Sequence, residues 1–192
     1  MVFDNAQTIT KFCPAFKWKN QEFKHSGDMS IWHLGSRIFL AQEFRPAKTV
    51  EISDGVLETI KSDTFSDLPN LLNLQLRKNK LIEIPDNVFK KNNKLKILNL
   101  SYNKLESFPR SAVKNTMKKL YLNNNEDLEV KESTFDNLNN AGVLHLQDIG
   151  NSPNELSKIC KSLKKNGKIK KNGKCCYYTK IGSFGRKVPV CI

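Results

Sequence analysis

The stretch LLNLQLRKNKLIEIPDNVFKKNNK, residues 71–94, recurs along the chain at a nearly fixed spacing. It returns as LKILNLSYNKLESFPRSAVKNT at residues 95–116 and as MKKLYLNNNEDLEVKESTFDNLNN at residues 117–140. An earlier copy, AKTVEISDGVLETIKSDTFSDLPN, occupies residues 47–70, and a fading copy, AGVLHLQDIGNS, begins at residue 141. A repeat of this period indicates a solenoid, because one unit buries its apolar face only against its neighbours.

The shared frame is LxxLxLxxNxLxxLPxxxFxxLxx, and it assigns a structural task to each fixed position. Leucines at positions 4 and 6 point to the same side of a short strand, since side chains alternate with period two. The asparagines at position 9 stand where the chain turns inward, and they are Asn79, Asn103 and Asn125. An amide there can both donate to and accept from backbone groups of neighbouring coils that would otherwise be buried without a partner.

The residues from about 47 to 151 resemble the leucine-rich repeat family, in the 24-residue extracellular type of Slit and Toll-like receptor ectodomains. The resemblance implies an α/β-type repeat solenoid: a short, curved, right-handed coil with a parallel sheet on the concave side and a cap at each end. Gly55 in place of the position-9 Asn, Asp127 at an apolar position and the cysteine spacing depart from the family pattern. We therefore expect an aromatic-rich cap at 1–46, about five coils at 47–151 and a basic, disulfide-bonded cap at 152–192.

The cysteines indicate the redox compartment. Four of the five lie close together in a C-x14-CC-x14-C pattern without CxxC pairs or a nearby His, which argues against zinc. Two disulfides and an oxidising compartment are the better interpretation. Adjacent cysteines rarely bridge each other, so Cys175 and Cys176 are expected to pair with Cys160 and Cys191, in an order that the sequence leaves open.

The remaining cysteine, Cys13, is expected to stay apart from the other four. Five coils at a strand spacing of ~4.8 Å separate the two caps by roughly 20 Å, too far for a disulfide. Cys13 is then buried, reactive or available for a bond between two chains, so the protein is a monomer or a Cys13-linked dimer. Residues 1–10 lack the basic start and apolar stretch of a signal peptide, so we expect a mature form without its leader.

The positive charge is concentrated at the C-terminus. The 192-residue chain carries a net charge of +13, of which residues 151–192 contribute +10, from eleven Lys and Arg and one Glu. The segment KKNGKIKKNGK contains two Asn-Gly steps, which favour tight hairpin turns, between a helix at 154–165 and strands in CYYTKIG and KVPVC. One such hairpin could bind a sulfated glycan or an acidic surface, or simply be a solvated edge. Its cations are Lys164, Lys165, Lys168, Lys170, Lys171 and Lys174.

The N-terminal 46 residues hold eight of the seventeen aromatic residues. They are expected to cover the first coil, or in part to form an exposed ligand surface. WKNQEFKH around Trp18 and SRIFLAQEF around Phe39 could each form a strand, and the two would then pair as a hairpin.

The concave face is the expected binding surface. In this frame, outward side chains of the sheet come from positions 2, 3, 5, 7 and 8, and Arg and Tyr among them are typical interface anchors. The alternative is an ordinary solvated face. Asn99-Leu100-Ser101 matches a glycosylation pattern, but Asn99 lies in mid-strand and is expected to be unmodified. The candidate ligand-binding residues are Gln75, Arg77, Lys78, Lys119, Tyr102, Tyr121 and His145.

Catalysis is not expected. The chain has three histidines and no serine elbow, phosphate loop or HExxH motif, and nothing places Cys13 beside His25 or His33. No apolar run is long enough to span a membrane, and neither a cofactor nor a metal is predicted. The sequence predicts a secreted, non-enzymatic protein that recognises an extracellular protein, and resemblance points to immunity, adhesion or host–parasite exchange. The alternative partner is a sulfated glycosaminoglycan or anionic surface; nucleic acid is disfavoured.

Overall fold

A computed structural model describes residues 48–53, 55, 57–181 and 186–192. It also describes three short N-terminal strands, at residues 15–17, 31–34 and 37–40. Within these ranges the repeats build one sheet in which a strand opens each coil. Strands β4 (Thr49–Ser53), β5 (Asn73–Gln75), β6 (Ile97–Asn99), β7 (Lys119–Tyr121) and β8 (Ala141–His145) pair in parallel with their sequence neighbours. The parallel solenoid sheet predicted from the repeat is confirmed.

The register aligns equivalent frame positions of every coil. Leu74 pairs with Leu98, and Leu98 with Leu120, so the position-4 leucines form one buried row. Equivalent positions of successive strands lie 24, 24, 22 and 24 residues apart, as Thr49, Asn73, Ile97, Lys119 and Val143 stand opposite one another. The returning halves of the coils fill the rest of the core, with Phe65 stacked on Phe89 at 5.7 Å between ring centroids.

The position-9 asparagines join each coil to the one before it. Asn103 is buried; its Nδ2 donates to the carbonyls of Leu100 and, one coil back, Leu76, at 2.9 and 3.0 Å. Its Oδ1 accepts the backbone N–H of Leu81 at 3.1 Å. Asn79 and Asn125 repeat this pattern with their own and the preceding coil. We call these three side chains the asparagine ladder.

The C-terminal segment begins with helix α1 (Pro153–Lys165), one residue earlier than the predicted start. The hydroxyl of Ser152 accepts the N–H of Glu155 at 3.3 Å, and the Glu155 carboxylate accepts the N–H of Ser152 at 2.8 Å, a capping box. The Ser152 hydroxyl also donates to the Glu155 carboxylate at 2.8 Å, and this hydrogen bond together with that from the Ser152 N–H holds the pKa of Glu155 below its usual value. The helix buries Leu156, Ile159 and Leu163, and it packs against residues 132–135 of the fourth coil and against the strand that follows it.

Strands β9 (Ile169–Ile181) and β10 (Arg186–Cys191) continue the sheet beyond the repeats. Strand β9 pairs in parallel with β8, and β10 pairs antiparallel with β9. The two predicted strands are thus confirmed, but the hairpin turns expected at the Asn-Gly steps are wrong. Gly167, at φ +68°, ends the helix instead, and Gly173 lies inside β9. A Cβ on Gly173 would come within 2.8 Å of the Ala141 carbonyl oxygen, so the strand needs glycine for close approach, not for a turn.

The disulfides settle the pairing that the sequence left open. Cys160 of α1 bonds to Cys175, and Cys176 bonds to Cys191 directly across the β9–β10 pair. The first bridge ties the helix to the sheet and is fully buried, whereas Cys191 is exposed. The two predicted bridges are confirmed.

The N-terminal strands pair differently from the predicted hairpin. Strand β1 (Ala15–Lys17) lies antiparallel to β4 and forms one edge of the large sheet. Strand β3 (Arg37–Leu40) pairs with β2 (Ile31–Leu34), its neighbour two residues away in the sequence, so the segment around Phe39 does not pair with the one next to Trp18. The shorter loop closes at lower entropic cost. The predicted aromatic cover and Cys13 lie outside the residues whose side chains are described.

Replacing Asn103 with alanine should lower the free energy of unfolding by about 2 kcal/mol, because the buried N–H of Leu81 loses its acceptor. The carbonyls of Leu76 and Leu100 each lose one of two amide donors and keep the other, from Asn79 and Asn125. Chemical denaturation of the variant measures this change. Asn115→Ala, at an exposed position, is the control and should cost less than about 0.5 kcal/mol. Equal losses of unfolding free energy in the two variants would show that the ladder side chain stabilises the fold no more than an exposed asparagine does.

The two disulfides offer a matched comparison, since both close a sequence separation of 15. Each should therefore contribute the same chain-entropy term, about 3 kcal/mol for such a loop. Cys160→Ala with Cys175→Ala should cost roughly 1–2 kcal/mol more than Cys176→Ala with Cys191→Ala, because only the first pair leaves a cavity on both sides. Denaturant titrations of both double variants test this order, and a reversed order would contradict it.

Candidate binding surface

The outward side chains of strands β4 to β8 form one surface, which we call the outer sheet face. Its central row consists of the position-5 residues, which the strand register places side by side. All five are half-buried, as expected for side chains that stand on a sheet with solvent on one side. The row reads Glu51, Gln75, Asn99, Tyr121 and His145.

The first half of this face is a connected amide network. Gln75 Nε2 donates to Asn73 Oδ1 at 2.6 Å, and Asn99 Nδ2 donates to Gln75 Oε1 at 2.8 Å. Ser101 Oγ then donates to Asn99 Oδ1 at 2.7 Å. These hydrogen bonds fix the polar groups in place, so a partner here meets a surface that is already ordered.

The second half of the face is aromatic and basic. The rings of Tyr121 and His145 meet edge to face, with centroids 5.1 Å apart. Burial raises the pKa of Tyr121. Burial, and then the positive charge of Lys174 on the adjoining strand, lower the pKa of His145. His145 is therefore neutral at pH 7. The free energy of unfolding decreases as the pH falls below the usual pKa of histidine, because the unfolded chain binds the proton before the folded protein does.

Three of the predicted ligand-binding residues lie beyond the strands, at the edge where the strands end. Arg77 and Lys78 follow β5, and Tyr102 follows β6. Lys78 and Tyr102 have positive φ angles of 53° and 58°. The residues at the same frame position in the next two coils, Asn124 and Asp148, also have positive φ, at 58° and 49°. The left-handed conformation suits Asn and Asp but strains Lys and Tyr. Sequence reasoning did not identify this conformation at position 8.

Tyr102 is the most accessible aromatic side chain with a described environment, at 51% exposure. Its backbone N–H donates to the Asn123 carbonyl at 3.0 Å, and Lys78 N–H donates to Ser101 O at 2.9 Å. The backbone is thus held in the sheet's hydrogen-bond pattern while the ring projects. The predicted residues accordingly divide into a central set, Gln75, Lys119, Tyr121 and His145, and an edge set, Arg77, Lys78 and Tyr102.

The six candidate anion-binding lysines do not lie on one hairpin, so that arrangement is corrected. Lys164 and Lys165 occupy the last turn of α1, where positive charge complements the helix dipole. Lys168 follows the helix, and its Nζ donates to the Asp136 carbonyl. Lys170, Lys171 and Lys174 lie on β9, exposed at the beginning of that strand. The difference arises because both Asn-Gly steps serve other purposes.

Two structural residues escaped the sequence analysis. Asn92 is fully buried, and its Nδ2 donates to the carbonyls of Phe65 and Leu68 at 2.8 Å each. It stands where the first and fourth copies have leucine, and this polar residue at an apolar position was the available signal. Asn151 accepts from and donates to the backbone of Val130, so it closes the fourth coil where Ile149 replaces the ladder asparagine.

No cluster of three or more His, Cys, Asp or Glu side chains that could hold a metal occurs in the part of the chain that the structure describes. No helix there is long and apolar enough to cross a membrane.

Comparisons with known proteins agree with this architecture. A family model for the leucine rich repeat matches residues 45–105 and 69–116. The chain is 30% identical to Podocan of Mus musculus over 133 residues, and this aligned region covers 67% of this chain and 22% of Podocan. It is 44% identical over 71 residues to Prolargin of Rattus norvegicus and 42% to that of Homo sapiens, covering 36% of this chain and 18% of each.

The chain spans about a fifth of the length of these relatives. The assignment to the 24-residue extracellular type stays a prediction. The repeated frame, the parallel sheet and the matches together place the molecule: this chain belongs to the leucine-rich repeat family.

Proposed function

We propose that this protein is an extracellular, non-enzymatic binding protein that recognises another protein through its outer sheet face together with the adjoining edge where the strands end. The observation that carries the proposal is Tyr102, an aromatic side chain 51% exposed and held on a strained backbone beside Arg77 and Lys78. An aromatic anchor next to cations, with an ordered amide network behind it, is the composition of an interface core.

An extracellular location is supported by the two disulfides and by the similarity to Podocan and Prolargin. The division into an N-terminal cap at 1–46, coils at 47–151 and a C-terminal cap at 152–192 is part of the proposal. A role in immunity, adhesion or host–parasite exchange and a Cys13-linked dimer remain predictions.

A second candidate function is the binding of an anionic partner by the C-terminal lysines. It is favoured because β9 adds exposed lysines to the same sheet that carries the repeats. The surface involved begins at the opposite ends of the strands from Tyr102, so the two functions need not compete.

Tyr102→Ala combined with Tyr121→Ala should reduce affinity for the protein partner at least about 30-fold, because tyrosines buried in an interface contribute hot-spot energies. The partner is first selected from a displayed set of extracellular domains with the unmodified protein, and the dissociation constants are then measured by surface plasmon resonance. Ile82→Ala, which removes another exposed large apolar side chain, is the control and should leave affinity unchanged. Unaltered affinity of the double tyrosine variant would refute the proposal.

Tyr102→Asn should raise the free energy of unfolding by about 0.5–1 kcal/mol while it weakens partner binding. Asparagine tolerates φ near 58° better than tyrosine does, and the exposed ring contributes little to the core. Thermal unfolding and binding are measured on the same preparation. A loss of stability would show that the ring has a structural role and would contradict its assignment as a binding anchor.

A further inference from the structure

The edge of the sheet where the repeat strands begin is rich in lysine. The segments 93–96, 115–119, 139–143 and 168–174 meet at this edge, and they contain eight lysines and no Asp or Glu. Six of the seven exposed lysines form what we call the lysine edge; the seventh, Lys94, donates to the Asn70 side chain at 2.8 Å. The six are Lys96, Lys118, Lys119, Lys170, Lys171 and Lys174.

Backbone contacts connect these residues across successive strands. The N–H groups of Lys118 and Lys119 donate to the Lys96 carbonyl at 2.7 and 3.0 Å. The Lys118 carbonyl accepts the N–H of Gly142 at 2.8 Å on the next strand. The lysine edge therefore crosses from the repeats into the C-terminal segment, over three strand spacings or about 14 Å.

Gly142 explains how Lys170 joins the row. A Cβ at Gly142 would lie 3.3 Å from Lys170 Cε and 3.4 Å from the Lys118 carbonyl oxygen. The aliphatic stem of Lys170 thus lies over the backbone of β8, in space left by the missing side chain. Lys174, opposite Val143, completes the row close enough to His145 to affect its titration.

A polar groove of about 570 Å³ adjoins the lysine edge. Its lining includes the amides of Asn93, Asn115 and Asn139 together with Lys114 and Lys168. Lys118 Nζ reaches the Asn139 carbonyl at 3.5 Å, which connects the groove to the edge. Burial lowers the pKa of Lys114.

One carboxylate also lines the groove. That carboxylate belongs to Asp136 and is paired with Arg110 at 3.2 Å. The groove therefore presents amides and ammonium groups beside an acid that is already neutralised by its partner.

We propose that the lysine edge and this groove together bind one linear sulfated polysaccharide chain, with sulfates on the lysines and sugar hydroxyls on the groove amides. The inference deepens the second candidate function, and the lysine edge shares Lys119 with the central set of the outer sheet face but no residue with the edge set around Tyr102. A row of cations attracts any polyanion, but a row of cations beside an amide-lined groove matches a ligand with both sulfates and hydroxyls.

Other polyanions fit the geometry less well. Single strands of nucleic acid are bound through stacking on exposed aromatic rings. Among the side chains that the structure describes, the most exposed ring is that of Tyr102, which lies after its strand, at the opposite edge. A membrane surface favours lysines that flank apolar side chains able to enter the lipid. The large apolar or aromatic side chains exposed among the described residues are Ile82 and Tyr102, and neither lies in the segments that form the lysine edge.

Three variants with equal loss of charge test the proposal against a heparin-derived oligosaccharide by calorimetry at about 0.15 M salt. Lys96→Gln/Lys118→Gln/Lys119→Gln changes only the repeats, and Lys170→Gln/Lys171→Gln/Lys174→Gln changes only β9. Each should weaken binding about tenfold. The control Lys80→Gln/Lys90→Gln/Lys104→Gln, at exposed positions away from the edge, should change it less than about twofold. Unchanged melting temperatures establish that all three fold.

The ring of His145 reports the location of binding. An oligosaccharide sulfate beside Lys174 should raise the pKa of His145, observed by NMR titration with His145→Gln to assign the signal. Tyr102→Ala should leave the oligosaccharide affinity intact, which separates this proposal from protein recognition.

Equal weakening by the control triple variant would overturn the proposal, because binding would then follow net charge alone. An unaltered His145 titration at saturating oligosaccharide would also overturn it. The proposal would also be overturned if the protein bound phosphatidylserine vesicles or duplex DNA more tightly than the oligosaccharide, and if the edge variants weakened that binding more than the control variant did.

Discussion

The fold depends on how its buried backbone groups are satisfied where each coil turns inward after its strand. Apolar side chains make the turn necessary, since the leucines at positions 4 and 6 must leave water. They cannot satisfy the carbonyls that the turn carries inside, and an unpaired buried carbonyl costs about 1–3 kcal/mol. Asn79, Asn103 and Asn125 solve this with one side chain per coil, each bonded both to its own coil and to the preceding one. Stacking is therefore specified by polar as well as apolar contacts.

The same constraint shapes the surface on which function is proposed. Because the coils stack in strict register, residues at one frame position form rows, and the rows differ in chemistry along the sheet. Amides around Gln75 and Asn99 are mutually bonded, whereas Tyr121 and His145 meet through their rings. The turn that brings Asn inward also forces position 8 into the left-handed region, so that Tyr102 projects from a backbone conformation that tyrosine disfavours. A tyrosine in a backbone conformation that tyrosine disfavours is a reason to propose a role in binding for it.

The sequence predicted the solenoid because periodicity is read over many residues, and one exception such as Gly55 does not obscure it. The central row at Gln75, Tyr121 and His145 followed from the same frame and the period-two alternation of strands. The C-terminal segment was harder, since a dipeptide such as Asn-Gly serves several purposes. Asn166-Gly167 ends a helix, and Gly173 permits close approach to Ala141, which only tertiary context decides. The C-terminal lysines were recognised from the uneven distribution of charge. That they lie beside Lys96, Lys118 and Lys119 could be known only from the order of the strands in the sheet.

The central claim is that the asparagine ladder closes the backbone hydrogen bonds of the turns, and amide hydrogen exchange tests it most directly. The N–H groups of Leu57, Leu81 and Leu105 donate to the ladder side chains and to no strand partner. If the ladder holds the coils together, these three amides exchange as slowly as the strand amides of Leu74, Leu98 and Leu120, which open only on global unfolding. Exchange of the three at rates typical of exposed loops, with the strands still protected, would contradict the account.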